Sequence, residues 1–248
     1  MALRRLRAVG RLVRAVGHGL HGLGIVLFRF PRLAAAERLT RIRWWSRKML
    51  HLLGIELRVE GVPLTAGGLL AVNHISWLDI MVVHALVPQA RFVSKADVKA
   101  WPLISRLVDS AGTLYLERER KRDALRVVHA MAQALAAGQT VAIFPEGTTS
   151  TGHGLLPFHA NLLQAAISTA TPVQPVALRF ADSTHAVSEA MEFVGATTLA
   201  ESLWKTACGD GIVARVAFLA PRDPAGVDRR ELAAALRADI AAALGVAP

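Results

Sequence analysis

Cysteine is almost absent: Cys208 is the sole cysteine in 248 residues. That excludes a disulfide framework and any cysteine-rich zinc or iron–sulfur site; the thiol reads as a small buried hydrophobe. Charge is sparse, at 19% of residues against 53% hydrophobic, which excludes a disordered chain. With 19 Gly and 11 Pro the chain is neither collagen-like nor low in complexity. No internal repeat of 20–50 residues is evident. A long apolar run is also missing. The longest near the N-terminus, residues 23–28, is closed off by His21 and Arg29, far short of the ~20 residues that span a bilayer. No small-residue cleavage site follows that run, so the N-terminus is not read as a cleaved signal.

What is present is unevenly placed. Residues 1–50 hold 12 Lys and Arg against one acid, Glu37, a net +11. Residues 51–248 hold 17 bases and 18 acids, a net −1. The whole net charge of +10 therefore belongs to a basic N-terminal arm joined to a nearly neutral domain. A mean hydropathy of +0.37 is high for a soluble enzyme and raises a membrane relationship.

Within the arm, Leu6, Val9, Val13, Val16, Leu20 and Leu23 recur at helical spacing, and Arg4, Arg7, Arg11 and Arg14 form a second row. At ~100° per residue the two rows fall on opposite faces of one helix. Ile42, Trp45, Met49 and Leu52 form another stripe, and Pro31 separates the two segments. The pattern predicts an amphipathic helical hairpin over residues 1–54 that lies in a membrane interface. An anionic surface suits it, since each base near such a surface contributes ~1 kcal/mol. A surface helix packed on the domain has the same periodicity and ranks second. Nucleic acid ranks third, because the apolar stripe would then need another burial partner.

After Gly54 the pattern changes. Short apolar runs at 56–62, 68–72, 91–94, 113–116, 140–144, 173–178 and 212–219 read as strands. Helical segments at 76–86, 101–110, 122–137, 159–169 and 229–244 lie between and after them. Residues 55–248 thus read as an α/β domain with a mostly parallel central sheet flanked by helices. Residues 181–211 carry no clear pattern.

Two strand ends are unusually polar. The strand at 68–72 runs into Asn73-His74-Ile75-Ser76-Trp77-Leu78-Asp79. On a regular helix, side chains five apart do not meet. With Ser76 starting the helix, His74 lies just before it and Asp79 in its first turn, so the two can meet. A carboxylate on one ring nitrogen raises the basicity of the other, which makes a general base. No G-x-S-x-G elbow supplies a protein nucleophile; Gly147-Thr148-Thr149-Ser150 has the wrong spacing. The base would act on a substrate hydroxyl. A helix cap with a histidine that Asp79 satisfies is the alternative. The second polar end is Phe144-Pro145-Glu146-Gly147-Thr148-Thr149-Ser150, a tight turn whose amides could hold an anion.

Four segments in order resemble the 1-acylglycerol-3-phosphate acyltransferase family, the glycerolipid acyltransferases with an H-x-x-x-x-D block: residues 73–79, Gly112-Thr113-Leu114-Tyr115-Leu116-Glu117-Arg118, Phe144-Pro145-Glu146-Gly147-Thr148, and Val173-Gln174-Pro175-Val176-Ala177. The resemblance covers roughly residues 55–180, and the hairpin is similar to the family's membrane-docking helices. It implies acyl transfer from acyl-coenzyme A or acyl-carrier protein, as co-substrate, to a lysolipid hydroxyl, with no cofactor or metal. It makes His74 the base and Asp79 its partner, with Arg118 on the acceptor phosphate. Glu146, Gly147 and Thr148 would shape the acceptor pocket, and Lys95 would be a further anion contact. It also implies a peripheral or monotopic protein on the cytoplasmic face of the inner membrane. Two departures stand out: Thr149 where the family commonly has Arg, and Pro157-Phe158-His159 where Pro-Phe-Lys is common. The expected acceptor is lysophosphatidic acid, followed by lyso-ornithine lipid. A non-catalytic lipid-binding protein is a third reading, disfavoured by the intact His74–Asp79 pair.

Overall fold

The computed structural model describes residues 2–95, 102–116 and 121–247. The arm is helical, as its periodicity predicts. Helix α1, Ala2–Gly24, runs through a π-helical turn and a short 3₁₀ turn holding Pro31, and helix α2, Ala35–Leu53, returns. Glu37 accepts the Ala34 N–H at 2.9 Å in the first turn of α2, and Gly54, at φ 80°, ends it. Among the described residues no helix is long and apolar enough to cross a membrane.

Helix α1 sits the other way round from an ordinary surface helix, whereas α2 buries Met49, Leu50 and Leu53 in the core. Small residues of α1 are buried, Ala8 and Ala15 among them, while Leu6 is 71% exposed, Val13 66% and Leu20 59%. Three arginines of the row, Arg4, Arg7 and Arg11, reach the rest of the protein instead, while Arg14 is exposed and donates to the Gly10 carbonyl of its own helix. Arg7 pairs with Asp210 at 3.0 Å. Arg4 donates to the Cys208 carbonyl at 2.7 Å, and Arg11 to those of Ala207 and Gly209 at 3.0 and 2.6 Å.

Those carbonyls end a helix that the sequence pattern missed, α7, Leu199–Cys208. Its signal is the Thr198-x-x-Glu201 capping box: Glu201 N–H donates to Thr198 Oγ1 at 3.2 Å, and Thr198 N–H to Glu201 Oε2 at 2.8 Å. Arginines at its C-terminus satisfy orphan carbonyls and oppose the negative end of the helix dipole.

Among the described residues the sheet has seven strands: β1 Ile55–Glu60, β2 Gly68–Val72, β3 Arg91–Lys95, β4 Leu114–Leu116, β5 Thr140–Ile143, β6 Val173–Ala181 and β7 Ile212–Phe218. Their order is β1-β7-β6-β2-β5-β3-β4. Every neighbouring pair is parallel except β6 and β7. The remaining helices are α3 Leu78–Leu86, α4 Pro102–Ser110, α5 Lys121–Ala136, α6 Gln164–Ser168 and α8 Arg229–Leu244. The expected helix at 159–169 is a 3₁₀ turn followed by the short α6.

Strand β2 is buried throughout, and its two faces belong to different layers. Leu70 and Val72 pack with Leu50 and Leu53 of α2 and Leu78 and Val82 of α3. Leu69 and Ala71 pack with Met131 of α5, Ala165 of α6 and Leu236 of α8. The chain leaves β2 through α3 towards β3 and leaves β5 through α6 towards β6, in opposite directions along the sheet. A crevice opens at the carboxyl ends of strands where the winding reverses in this way. Both polar motifs lie there.

Candidate active site

His74 and Asp79 meet in the way their spacing predicts. Residues 74–77 precede α3, and Asp79 stands in its first turn. The His74 Nδ1–H donates to Asp79 Oδ2 at 2.7 Å. The same oxygen accepts the N–H groups of Ile75 and Ser76 at 2.7 and 2.9 Å, so the carboxylate is fully buried yet held by main-chain donors. An acceptor-only carboxylate fixes the proton on Nδ1 and leaves the lone pair on Nε2. The imidazole also stacks on Phe144, with centroids 3.8 Å apart and planes 12° apart. Ring position and tautomer are therefore both set.

The second motif clamps the main chain of the first. His74 N–H donates to Glu146 Oε1 at 2.7 Å. The His74 carbonyl accepts the Ser150 N–H at 2.8 Å and the Ser150 hydroxyl at 3.2 Å. The other Glu146 oxygen accepts the Leu156 N–H at 2.9 Å. Glu146 is 2% exposed. The sequence reading has it shape the acceptor pocket; in the structure both of its oxygens accept main-chain N–H groups, one of them that of His74. Burial pushes its carboxyl above the usual carboxylate range, partly offset by the His74 and Leu156 amides and the His74 charge, while Asp79 adds to the rise. Gly147, at φ 69°, makes the turn, closed by its N–H on the Phe144 carbonyl at 3.0 Å. Thr148 is exposed beside it.

Asn73 is a site residue to which sequence reading gave no role. It is buried, donates to the Leu178 carbonyl at 2.9 Å and accepts the Leu178 N–H at 2.7 Å. Its amide carries the β2–β6 ladder one step past the last strand residue. Thr149, where an arginine is common, donates its hydroxyl to the Phe193 carbonyl, and Phe193 N–H donates to the Ile75 carbonyl at 3.3 Å. Thr149 thus ties the two motifs to the 181–211 segment. Arg118 lies outside the described residues, two positions past the end of β4. Lys95 ends β3; its side chain lies outside the described residues. Among the described residues no group of three His, Cys, Asp or Glu side chains could hold a metal ion.

Beside the site, the hairpin, α3 and α4 enclose an apolar cavity of about 380 Å³, walled by Val16, Ile25, Trp45, Met49, Trp77 and Phe92 among others. Phe92 stacks on Phe144 at 5.4 Å between centroids, and Phe144 on His74, so the cavity wall reaches to within one ring of His74. His84 in this wall is neutral: burial pushes its imidazole down to about 4, and its Nε2–H donates to the Ala90 carbonyl at 3.0 Å.

Comparison with known proteins gives the family of the chain. A family model described as Acyltransferase matches residues 54–179. The chain is 35% identical to the lyso-ornithine lipid O-acyltransferase of Pseudomonas aeruginosa over 237 residues, 92% of this chain and 90% of that protein. It is also 35% identical to the 1-acyl-sn-glycerol-3-phosphate acyltransferase of Neisseria meningitidis serogroup B over 178 residues, 72% of this chain and 69% of that protein. The crystal structure of the acyltransferase PlsC from Thermotoga maritima superposes with a TM-score of 0.69 over 95% of this chain and 96% of that one, at 21% identity. The chain, with its His74–Asp79 pair beside an apolar cavity, therefore belongs to the Acyltransferase family, among enzymes of the 1-acylglycerol-3-phosphate O-acyltransferase type.

Proposed function

We propose that this acyltransferase moves an acyl chain from a thioester donor, acyl-coenzyme A or acyl-carrier protein, to the free hydroxyl of a lysolipid at a membrane surface. The observation that carries the chemistry is the His74 Nδ1–Asp79 Oδ2 bond at 2.7 Å, which frees Nε2 to take a proton. In the first step Nε2 removes the hydroxyl proton as the acceptor oxygen bonds to the thioester carbonyl carbon. Asp79 stabilises the imidazolium that forms. The tetrahedral intermediate collapses, the C–S bond breaks, and the departing thiolate takes the proton from Nε2. Ester and thiol are the products. The apolar cavity of about 380 Å³ suits an acyl chain. Arg118, Lys95, Gly147 and Thr148 are assigned to the head-group side.

For the acceptor, lyso-ornithine lipid is placed ahead of lysophosphatidic acid, the reverse of the order expected from sequence. A phosphate monoester carries close to two negative charges near neutral pH and is best met by more than one guanidinium. Thr149 brings none and is already spent on Phe193. The match over 92% of the chain to a lyso-ornithine lipid O-acyltransferase supports the same choice. Lysophosphatidic acid stays as second reading on the 35% identity to the Neisseria meningitidis enzyme.

The test is a panel: purified protein, labelled acyl-coenzyme A and acyl-carrier protein, and both lysolipids side by side. Lyso-ornithine lipid is expected to be acylated fastest, and His74→Ala to lose roughly a hundredfold or more in kcat. Faster acylation of lysophosphatidic acid overturns the acceptor. Turnover with neither lysolipid, or a His74→Ala protein as active as its parent, overturns the chemistry.

A further inference from the structure

Helix α8 belongs to the layer beneath β6 and sends one side chain towards the site. Arg237 donates through Nη2 to the Leu155 carbonyl at 2.6 Å and through Nε to the Leu156 carbonyl at 3.0 Å. One planar guanidinium therefore grips two consecutive carbonyls, which fixes the peptide between them in direction as well as position. Residues 151–158 form neither helix nor strand, so the peptide is held by the buried Leu155 side chain, packed against Ala177, Ile240 and Leu244, and by these two bonds. Its N–H is the Leu156 donor to Glu146 Oε2 at 2.9 Å. Glu146 Oε1 in turn holds the His74 N–H at 2.7 Å. Three links therefore join an arginine on α8 to the backbone of the base.

We propose that Arg237 is a positioning residue for acyl transfer, acting through the Leu155–Leu156 peptide and Glu146 on His74. The inference rests on the acyl-transfer reading above. It follows from what Glu146 must do. To accept two N–H bonds at once the carboxyl has to be ionised, and burial opposes that. The titratable groups facing it are His74 and Asp79; the Leu156 amide is a remaining favourable contact, and Arg237 sets where that amide points. Arg237 is itself partly exposed, so its loss empties no core site.

The experiment compares kcat, KM and the pH profile of kcat for the full-length parent, Arg237→Lys, Arg237→Ala, Glu146→Gln and Arg237→Ala/Glu146→Gln. For Arg237→Ala, kcat is expected to fall roughly ten- to a hundredfold, with KM for donor and acceptor within about twofold of the parent. The acid limb of the profile should move to higher pH, because Glu146 without a fixed Leu156 N–H is harder to ionise. Arg237→Lys, which can reach one carbonyl but not grip both, should fall between. In the double variant that limb should lie where it lies in Glu146→Gln alone. An Arg237→Ala protein with the parent's kcat and acid limb overturns the inference. So does a loss of kcat that matches a loss of folded protein by circular dichroism while the limb stays put. A parent that acylates no lysolipid would instead sink the acyl-transfer reading on which this one stands.

Discussion

At the scale of single residues, His84 couples the cavity to pH. Its imidazole is 5% exposed, and its pKa is pushed down to about 4 from the ordinary 6.5 by burial. The unfolded chain therefore takes up a proton that the folded chain refuses. This contribution to stability is fully present above pH ~6.5 and is lost as pH falls towards ~4. Between pH 7.5 and pH 5 the expected loss is about 2 kcal/mol. Urea unfolding at the two pH values checks it. His84→Gln, which can still donate to the Ala90 carbonyl, should lose less over the same range; an equal loss would place the titration elsewhere. Residue-scale chemistry was legible in the sequence where it was local. His74 and Asp79 lie five apart, and a capping signal between them sets their geometry. The partners of Glu146 were not legible. One is 72 positions away, the other is set by a loop without regular structure, and no spacing rule reports either. The role of Thr149 was hidden in the same way, because Phe193 belongs to the segment with no pattern.

At the scale of elements, the hairpin crossing is held by reciprocal bonds. Trp45 Nε1–H donates to the His18 carbonyl, and His18 Nε2–H to the Trp45 carbonyl, both at 3.0 Å, with the two rings stacked. Gly22 makes this possible, since a Cβ there would lie 2.2 Å from Trp45 Nε1. Two glycines of α1 should consequently respond with opposite sign. Gly17 has nothing within 4 Å of a Cβ, so Gly17→Ala should stabilise by up to about 1 kcal/mol through helix propensity alone. Gly22→Ala gains the same propensity but must displace an indole held on both sides. Overpacking costs about 1–3 kcal/mol and the lost hydrogen bond about 1 kcal/mol more, so the net should be destabilising. Urea midpoints of both variants measure it, and a stabilised Gly22→Ala would show the crossing to be loose. Strands were readable from their apolar runs to within a few residues. Strand β6 outran its expected end at 178 because residues 179–181 pair with β7, and antiparallel pairing with a later strand leaves no local mark. Helix α7 was missed although its capping box was present, because its surroundings carried no periodic stripe to which the cap could be attached.

At the scale of the whole molecule, the net +11 of the first 50 residues overstates what a lipid surface would meet. Arg4, Arg7 and Arg11 are committed to the end of α7 and to Asp210. What α1 leaves uncovered is its apolar row, with Leu6, Val13, Val16 and Leu20 all more than half exposed. Contiguous apolar surface of this kind marks an interaction site, and an amphipathic helix so turned inserts its apolar face among lipid acyl chains. Deleting the arm would not test this cleanly, because Met49, Leu50 and Leu53 of α2 sit in the same core as the sheet. Four serines, Leu6→Ser, Val13→Ser, Val16→Ser and Leu20→Ser together, replace only side chains more than half exposed; Val16 also walls the apolar cavity, so the readout is vesicle binding and not turnover. At roughly 1 kcal/mol for each side chain lost from the bilayer, binding to anionic vesicles should weaken about a thousandfold. Salt offers an independent reading. If arginine–lipid contacts dominated, raising ionic strength would strip the parent from vesicles, since exposed charges are screened beyond ~8 Å at physiological salt. With Arg4, Arg7 and Arg11 turned to protein and the apolar row turned outward, the parent should stay largely bound at high salt, and the serine variant should bind weakly and release. Vesicle flotation at low and high salt separates the cases. A serine variant that floats as well as its parent would place the membrane contact outside α1.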